Sequence, residues 1–198
     1  MGSRVSEIKR YQIRVEGIVQ GVGFRPFIYG LAIQSCYSGY VLNDVEGVLL
    51  EIQGRDIDIE NFCQCIKTKA PKASYITNIS YHEIDVICDD KEFIIQKSPQ
   101  GLTKETLISP DLAICEDCKR EIKDKNNRRY QYAFTNCTNC GPRFSIVQDI
   151  PYDRQNTTMK VFPMCKNCED EYTNPLDRRF HAQPNACDIC GPQYKLVA

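Results

Sequence analysis

The first half of the chain alternates between short apolar runs with a period of two and longer amphipathic runs with a helical period. Residues 11–15 alternate apolar and polar side chains, which is typical of a half-buried strand. Residues 44–47 form a turn signal between two such runs, which predicts a hairpin. The predicted elements, in order, are a strand over 11–15, a helix over 25–34, strands over 39–43 and 48–53, a helix over 57–69, and strands near 75–85 and 92–97.

The first six of these elements follow the order β-α-β-β-α-β, the split βαβ arrangement, so an α+β domain is predicted over residues 8–97. Residues 98–110 contain two prolines and one glycine and are predicted to be a linker. From Cys115 onward the hydrophobic periodicity fades and cysteines recur instead. A small second domain is therefore predicted over residues 111–198, and metal binding is expected to supply its folding energy.

Eight of the twelve cysteines form two copies of a C-x2-C-x18-C-x2-C pattern, fifty residues apart. This spacing is typical of tetrahedral zinc sites, and two structural zinc ions are predicted, in repeats at about 115–146 and 165–196. Pairing of adjacent knuckles and a crossed pairing of outer and inner knuckles both fit the sequence. Disulfides are the weaker alternative. The predicted ligands are Cys115, Cys118, Cys137, Cys140, Cys165, Cys168, Cys187 and Cys190.

The duplication extends beyond the cysteines, because an arginine pair occurs at residues 128–129 and again at 178–179. Four thiolates on one zinc ion carry a charge of about −2, which these arginines are able to offset. The alternative is that the arginines lie on a solvated face. His181 is expected to have a structural role, since the eight cysteines already complete two sites.

The composition excludes several classes of function. The formal net charge is −1, and no long basic stripe occurs, so nucleic-acid binding is not expected. No apolar run is long enough for a membrane span, and residues 1–10 lack the apolar core of a signal peptide. Cysteine-rich sequences of this kind are typical of the reducing cytoplasm, which is the predicted location.

A glycine-rich loop at residues 17–23 lies between the first predicted strand and the first helix. Its N–H groups and the helix N-terminus are suited to binding an anion, and Arg25 adds a planar fork for phosphate oxygens. Taken alone, this pattern also fits a plain tight turn. The predicted substrate-binding residues are Gln20, Gly21, Val22, Gly23, Phe24 and Arg25.

Residues 17–25 closely resemble the acylphosphatase signature G-x-V-Q-G-V-x-F-R, and residues 39–47 resemble the second motif of that family. The resemblance implies a ferredoxin-like βαββαβ fold, with Arg25 binding the phosphate and Asn43 orienting the attacking water. Val48 and Leu49 after Gly47 depart conservatively from the family pattern.

The acylphosphatase-like part followed by the double zinc unit resembles the HypF family of hydrogenase maturation carbamoyltransferases. The phrases that carry this resemblance lie at residues 135–144, 151–154 and 177–184. It implies hydrolysis of carbamoyl phosphate to carbamate, adenylation with ATP, and transfer to the C-terminal thiol of a HypE-type maturation protein, where a cyanide ligand is made. It also implies YrdC-like and ATP-dependent transfer domains that this sequence lacks, so the chain is expected to be a fragment. The alternatives are a non-catalytic docking module and a stand-alone acylphosphatase.

Overall fold

A computed structural model describes residues 7–98 and 107–195. Within these residues the chain divides into two compact units, whose boundary falls between Leu107 and Ile108, with Gly21–Gly23 counted with the second. Most of the predicted linker, residues 99–106, lies outside the described residues. None of the described helices is both long and apolar enough to cross a membrane.

The first unit is an α+β fold with the predicted order of elements. Several boundaries differ from the prediction by one to three residues, and the first strand extends three residues further at each end. The second helix begins two residues late because Asp58 caps it, and the last strand covers only three residues. The elements are β1 (Ile8–Ile18), α1 (Phe24–Gln34), β2 (Ser38–Asn43), β3 (Val48–Arg55), α2 (Ile59–Lys69), β4 (Tyr75–Ile84) and β5 (Phe93–Ile95).

The five strands form one sheet in the order β4-β1-β3-β2-β5. β1 pairs antiparallel with both β3 and β4, and β2 pairs antiparallel with β3 through the 44–47 hairpin. β5 adds in parallel to β2. The register between β1 and β4 shifts at Gly17, where a Cβ atom would lie 2.1 Å from the carbonyl oxygen of Tyr75. A glycine is therefore required at this close approach of two strands.

The core of the first unit follows from the two periodicities. On β1, Tyr11, Ile13 and Val15 are buried, and the alternate residues face the other side of the sheet. The helices bury residues at helical spacing, including Ile28 on α1 and Ile66 on α2. The sequence pattern was informative here because each element has one apolar face.

The other face of the sheet carries a buried polar network that the sequence did not predict. Arg10 is only 2% exposed, and it donates to Glu51 at 2.9 Å and to Asp90. The side chain of Gln53 exchanges two hydrogen bonds with the backbone of Ile87. These contacts hold residues 87–90, which lie between β4 and β5, against the sheet.

The second unit contains two helices of equal length in equivalent places, α3 (Glu116–Lys123) and α4 (Lys166–Thr173). Each follows directly on the first cysteine of its repeat. Three short 3-10 turns lie between Cys140 and Cys165, at Phe144–Ile146, Arg154–Asn156 and Thr158–Val161. The rest of the unit is loops whose shape depends on the cysteine clusters and on buried arginines.

Candidate phosphate site and metal centres

The glycine-rich loop connects β1 to α1 as predicted. Gly21 and Gly23 have φ values of 73° and 77°, in the left-handed region that favours glycine. The side chains of Val22 and Phe24 are buried, so it is their backbone N–H groups rather than their side chains that are predicted to meet an anion. The loop backbone and the first turn of α1 thus form the kind of arrangement that receives phosphate in other proteins.

Gln20 connects this loop to the β2–β3 hairpin. Its buried side-chain amide donates to the backbone oxygens of Asp44 and Gly47, both at 2.7 Å. The hairpin is itself fixed by Asp44, whose carboxylate accepts from the N–H groups of Glu46 and Gly47 and from Arg14. The side-chain N–H groups of Gln20 therefore position the loop, and its predicted contact with substrate remains a prediction.

Arg25 and Asn43 lie in the two segments that the hydrogen bonds of Gln20 connect. Arg25 is in the first turn of α1, directly after the loop, and its side chain is mostly buried. Asn43 is the last residue of β2, directly before Asp44, and is also buried. Since Gln20 ties the loop to the hairpin at Asp44, the backbone segments that carry Arg25 and Asn43 are held in fixed relation.

The eight predicted ligand cysteines form two clusters of four. The sulfurs of Cys115, Cys118, Cys137 and Cys140 lie within 4.8 Å of one another, and the equivalent four sulfurs of the second repeat do the same. The pairing of knuckles is therefore sequential within each repeat, and the crossed alternative is wrong. All twelve cysteines are free thiols, so the disulfide alternative is wrong as well.

The sulfur separations fit tetrahedral zinc. In the first cluster three sulfur pairs lie 3.5, 3.7 and 3.8 Å apart, and in the second three pairs lie 3.6, 3.7 and 3.8 Å apart. A tetrahedron with Zn–S bonds of about 2.3 Å has edges of about 3.8 Å. Each cluster is therefore shaped for one zinc ion, and four thiolates leave no open position for a substrate.

The arginine pairs lie at the clusters, and not on a solvated face. Each pair serves the cluster of the other repeat: Arg128 donates to the sulfur of Cys168 at 3.2 Å, and Arg178 donates to that of Cys118 at 3.0 Å. Arg129 and Arg179 are almost fully buried beside them. The sequence predicted that arginines offset the thiolate charge. No sequence pattern indicated that each arginine pair contacts the cluster of the other repeat.

His181 has a structural position. Its backbone has a φ of 54°, and the equivalent residue of the first repeat, Gln131, has a φ of 58°. The imidazole packs against Tyr172 and Phe180 at centroid distances of 4.9 and 4.7 Å. His181 therefore forms part of the turn after the arginine pair, and it belongs to neither cysteine cluster.

Known proteins resemble this chain over about three quarters of its length. The probable carbamoyltransferase HypF of Methanocaldococcus jannaschii is 50% identical over 148 residues, which cover 74% of this chain and 19% of that protein. The acylphosphatase of Thermotoga petrophila is 40% identical over 77 residues, which cover 38% of this chain and 84% of that protein. The chain thus spans about a fifth of the length of the HypF relatives that it matches.

Solved structures agree with these sequence relatives. Full-length HypF in a phosphate- and nucleotide-bound form matches with a TM-score of 0.88 and 50% identity, over 97% of this chain and 25% of that one. The HypF of T. kodakarensis matches with a TM-score of 0.81 and 49% identity, over 92% of this chain and 23% of that one.

Two family models assign the two units. The acylphosphatase model matches residues 11–95, and the HypF finger model matches residues 114–147 and 164–197. Fold and sites thus define the class, an acylphosphatase domain followed by paired four-cysteine fingers. The chain belongs to the acylphosphatase family, and it resembles the acylphosphatase and double-finger portion of carbamoyltransferases named HypF.

Proposed function

We propose that this portion hydrolyses carbamoyl phosphate at the loop between β1 and α1. The products are carbamate and inorganic phosphate. The carbamoyl group is then adenylated with ATP in further domains, YrdC-like and transfer domains, and passed to the C-terminal cysteine of a HypE-type partner. Relatives named carbamoyltransferase support the substrate class, and the acylphosphatase match supports the reaction. A reducing cytoplasm is the proposed location, because the finger thiols must stay reduced.

The observation that carries the proposal is the buried Arg25 directly after a loop with two left-handed glycines. The guanidinium remains positively charged at any physiological pH and is able to grip two phosphate oxygens at once. Loop N–H groups add further donors to the phosphoryl group. Phosphoryl transfer needs mainly positioning and charge stabilisation, which these groups supply.

In this mechanism the side-chain amide of Asn43 holds the attacking water in line with the bond to the leaving carbamate. The proton of that water passes to the substrate, so no protein base is required. Gln20 acts indirectly, because its two hydrogen bonds to Asp44 and Gly47 keep the loop and the Asn43 segment together. The paired fingers, with closed zinc sites, take no part in the chemical step.

The test is release of phosphate from carbamoyl phosphate by the full chain. Arg25→Ala is expected to lower the rate at least about 100-fold, since it removes the main charge on the transferred group. Arg55→Ala, an exposed arginine at the end of β3, serves as the matched control and is expected to keep the wild-type rate. Equal rates for Arg25→Ala and wild type would show that the site is assigned wrongly.

A second candidate is a zinc-stabilised docking module with an idle phosphate loop. It is favoured by apolar side chains that the second unit leaves exposed, such as Leu176, Ile189 and Val161. Binding and phosphate release together distinguish the two candidates. A docking module binds the remaining HypF domains or a HypE-type protein without releasing phosphate. A stand-alone acylphosphatase would instead hydrolyse benzoyl phosphate at least as fast as carbamoyl phosphate.

A further inference from the structure

The two fingers exchange arginines. Arg128 belongs to the first repeat, yet one of its Nη atoms lies 3.2 Å from the sulfur of Cys168 in the second. Arg178 belongs to the second repeat and lies 3.0 Å from the sulfur of Cys118 in the first. The two contacts are equivalent under the fifty-residue repeat, so the exchange is a symmetric feature of the unit. Each cluster has three buried or half-buried sulfurs beside the acceptor, which limits compensation of its charge by water.

Two glutamates fix the direction of these guanidinium groups. Glu171 accepts from Arg128 at 2.7 Å and from Arg129 at 2.5 Å. Glu121, its equivalent in the first repeat, accepts from Arg178 at 2.5 Å and from Arg179. Each glutamate follows the second cysteine of its own repeat by three residues. The carboxylate therefore draws the arginines of the other repeat toward its own cluster.

Backbone carbonyls hold the inner arginines in the same crossed pattern. Arg129 donates through Nε to the carbonyl oxygen of Ala186, next to Cys187 of the second cluster. Arg179 donates through Nε to the carbonyl oxygen of Asn136, next to Cys137 of the first. Both distances are 3.0 Å. The exchange thus fixes both knuckles of each cluster, one through a sulfur and one through the neighbouring backbone.

Two further arginines, the buried Arg143 and the half-buried Arg154, have partners among backbone carbonyls. Arg143 donates to the carbonyl oxygens of Cys137, Thr138, Cys140 and Pro142 around the first cluster. Arg154 donates to those of Gln183, Asn185 and Phe162 in the second repeat. Burying such cations is costly unless opposite charge lies nearby. Six arginines and two glutamates carry a net charge of about +4, which balances two tetrathiolate zinc sites of about −2 each.

We propose that Arg128 and Arg178 are reciprocal outer partners of the zinc sites, each strengthening zinc retention in the finger opposite its own. The charge of one thiolate set is offset by the other repeat, so the two zinc ions are held as a coupled pair. This role is independent of phosphate hydrolysis. The four metal ligands of each site come from one repeat, and the arginine that donates to a ligand sulfur comes from the other repeat.

The test uses the full chain loaded with ¹¹³Cd, which reports each cysteine cluster as a separate NMR signal assigned through coupling to the cysteine β protons. Arg128→Ala is expected to shift the signal of the Cys165–Cys190 cluster most, and to raise its rate of metal loss to a chelator about 10-fold or more. Arg178→Ala is expected to do the same to the Cys115–Cys140 cluster. Zinc release to a coloured chelator gives the same ranking for the natural metal.

Arg120→Ala is the matched control, because Arg120 lies on α3 in the first repeat but pairs with its neighbour Asp117 and is exposed. It is expected to leave both signals and both release rates unchanged. If Arg128→Ala prevents folding, Arg128→Gln replaces it, since this change removes the charge and keeps most of the stem. An effect confined to the first cluster, or unchanged metal retention at both clusters, would overturn the proposal.

Discussion

The two units of this chain are stabilised by different kinds of buried groups. The first unit buries alternate strand residues and one face of each helix, so its core is made of apolar side chains. The second unit buries few large apolar groups: among its described residues one apolar cluster consists of Tyr132, Met159 and Ala186. Arginine, asparagine and glutamine side chains take many of the other interior positions.

The difference shows what each unit depends on. Burial of apolar area stabilises a fold gradually, at about 25 cal/mol per Å², so that no single residue decides the outcome. Metal binding concentrates the stabilisation at two points and requires deprotonated thiolates. Buried arginines then become favourable partners instead of a cost. The predictions below separate these two sources of stability.

The largest effect is expected on removing zinc with a strong chelator. The second unit should lose its fold, because its buried arginines would then surround protonated thiols, while the first unit keeps its sheet. Amide hydrogen exchange measures both at once. Protection should vanish over α3 and α4, remain over β1 and β3, and return when zinc is added back. Protected amides on α3 and α4 in the metal-free chain would contradict this prediction.

A core substitution should act on the first unit alone. Ile13 is fully buried on β1, and Ile13→Ala is expected to lower the free energy of unfolding of this unit by about 3 kcal/mol. Ile8→Ala, on the same strand but exposed, is the control and should cost well under about 1 kcal/mol. Urea denaturation gives the difference, and elemental analysis should still find two zinc ions per chain. Equal losses for the two variants would show that the apolar core is not the main source of stability.

The sequence predicted the elements of the first unit well because their signals are local. Strand alternation and helical spacing each extend over a few residues, and so does the spacing of the cysteines. The sequence did not predict the partners of Arg10, which are 41 and 80 residues away, or those of Arg128 and Arg178, which are 40 and 60 residues away. An arginine that crosses to a distant partner has the same local pattern as one on a solvated face.

The candidate phosphate site shows the same limit of prediction from local sequence patterns. The signature over residues 17–25 identifies the loop, and the glycines explain its backbone. The tie that Gln20 makes to Asp44 and Gly47 joins segments 24 and 27 residues apart, which no local pattern records. The resemblance predicts the roles of Arg25 and Asn43, and the fold shows what holds their segments in place.

A change in the buried polar network of the first unit is expected to have an effect of intermediate size on stability. Burial alone would raise the pKa of Glu51, but hydrogen bonds from Gln12, Tyr40 and Arg10 outweigh burial and lower this pKa below its ordinary 4.5. The lowered pKa stabilises the fold above the unfolded value, and this contribution is lost as pH falls below about 4.5. Glu51→Gln is expected to lower stability by about 2 kcal/mol at pH 7, with a weaker dependence on pH between about 5 and 3.

Exposed Glu83 on β4, which pairs with Lys9, provides the control for this network. Glu83→Gln should change the free energy of unfolding by under about 0.5 kcal/mol. Urea titrations of the first unit from pH 7 to pH 3 measure both variants. A Glu51→Gln protein with the same pH profile as wild type would mean that the network adds nothing beyond the apolar core.

The smallest effect is expected at the start of α2, where a single local contact can be removed without touching either core. The carboxylate of Asp58 accepts a hydrogen bond from the backbone N–H of Asn61 at 3.0 Å, which satisfies one of the free donors of the first turn. Asp58→Ala is expected to lower the free energy of unfolding of the first unit by about 1 kcal/mol, and Asp58→Asn, which keeps the acceptor, by much less. Urea denaturation at constant zinc measures both. Because the cap lies in the first unit and the eight ligand cysteines lie in the second, zinc release should be unchanged. A loss of zinc in Asp58→Ala would show that the stabilities of the two units are linked.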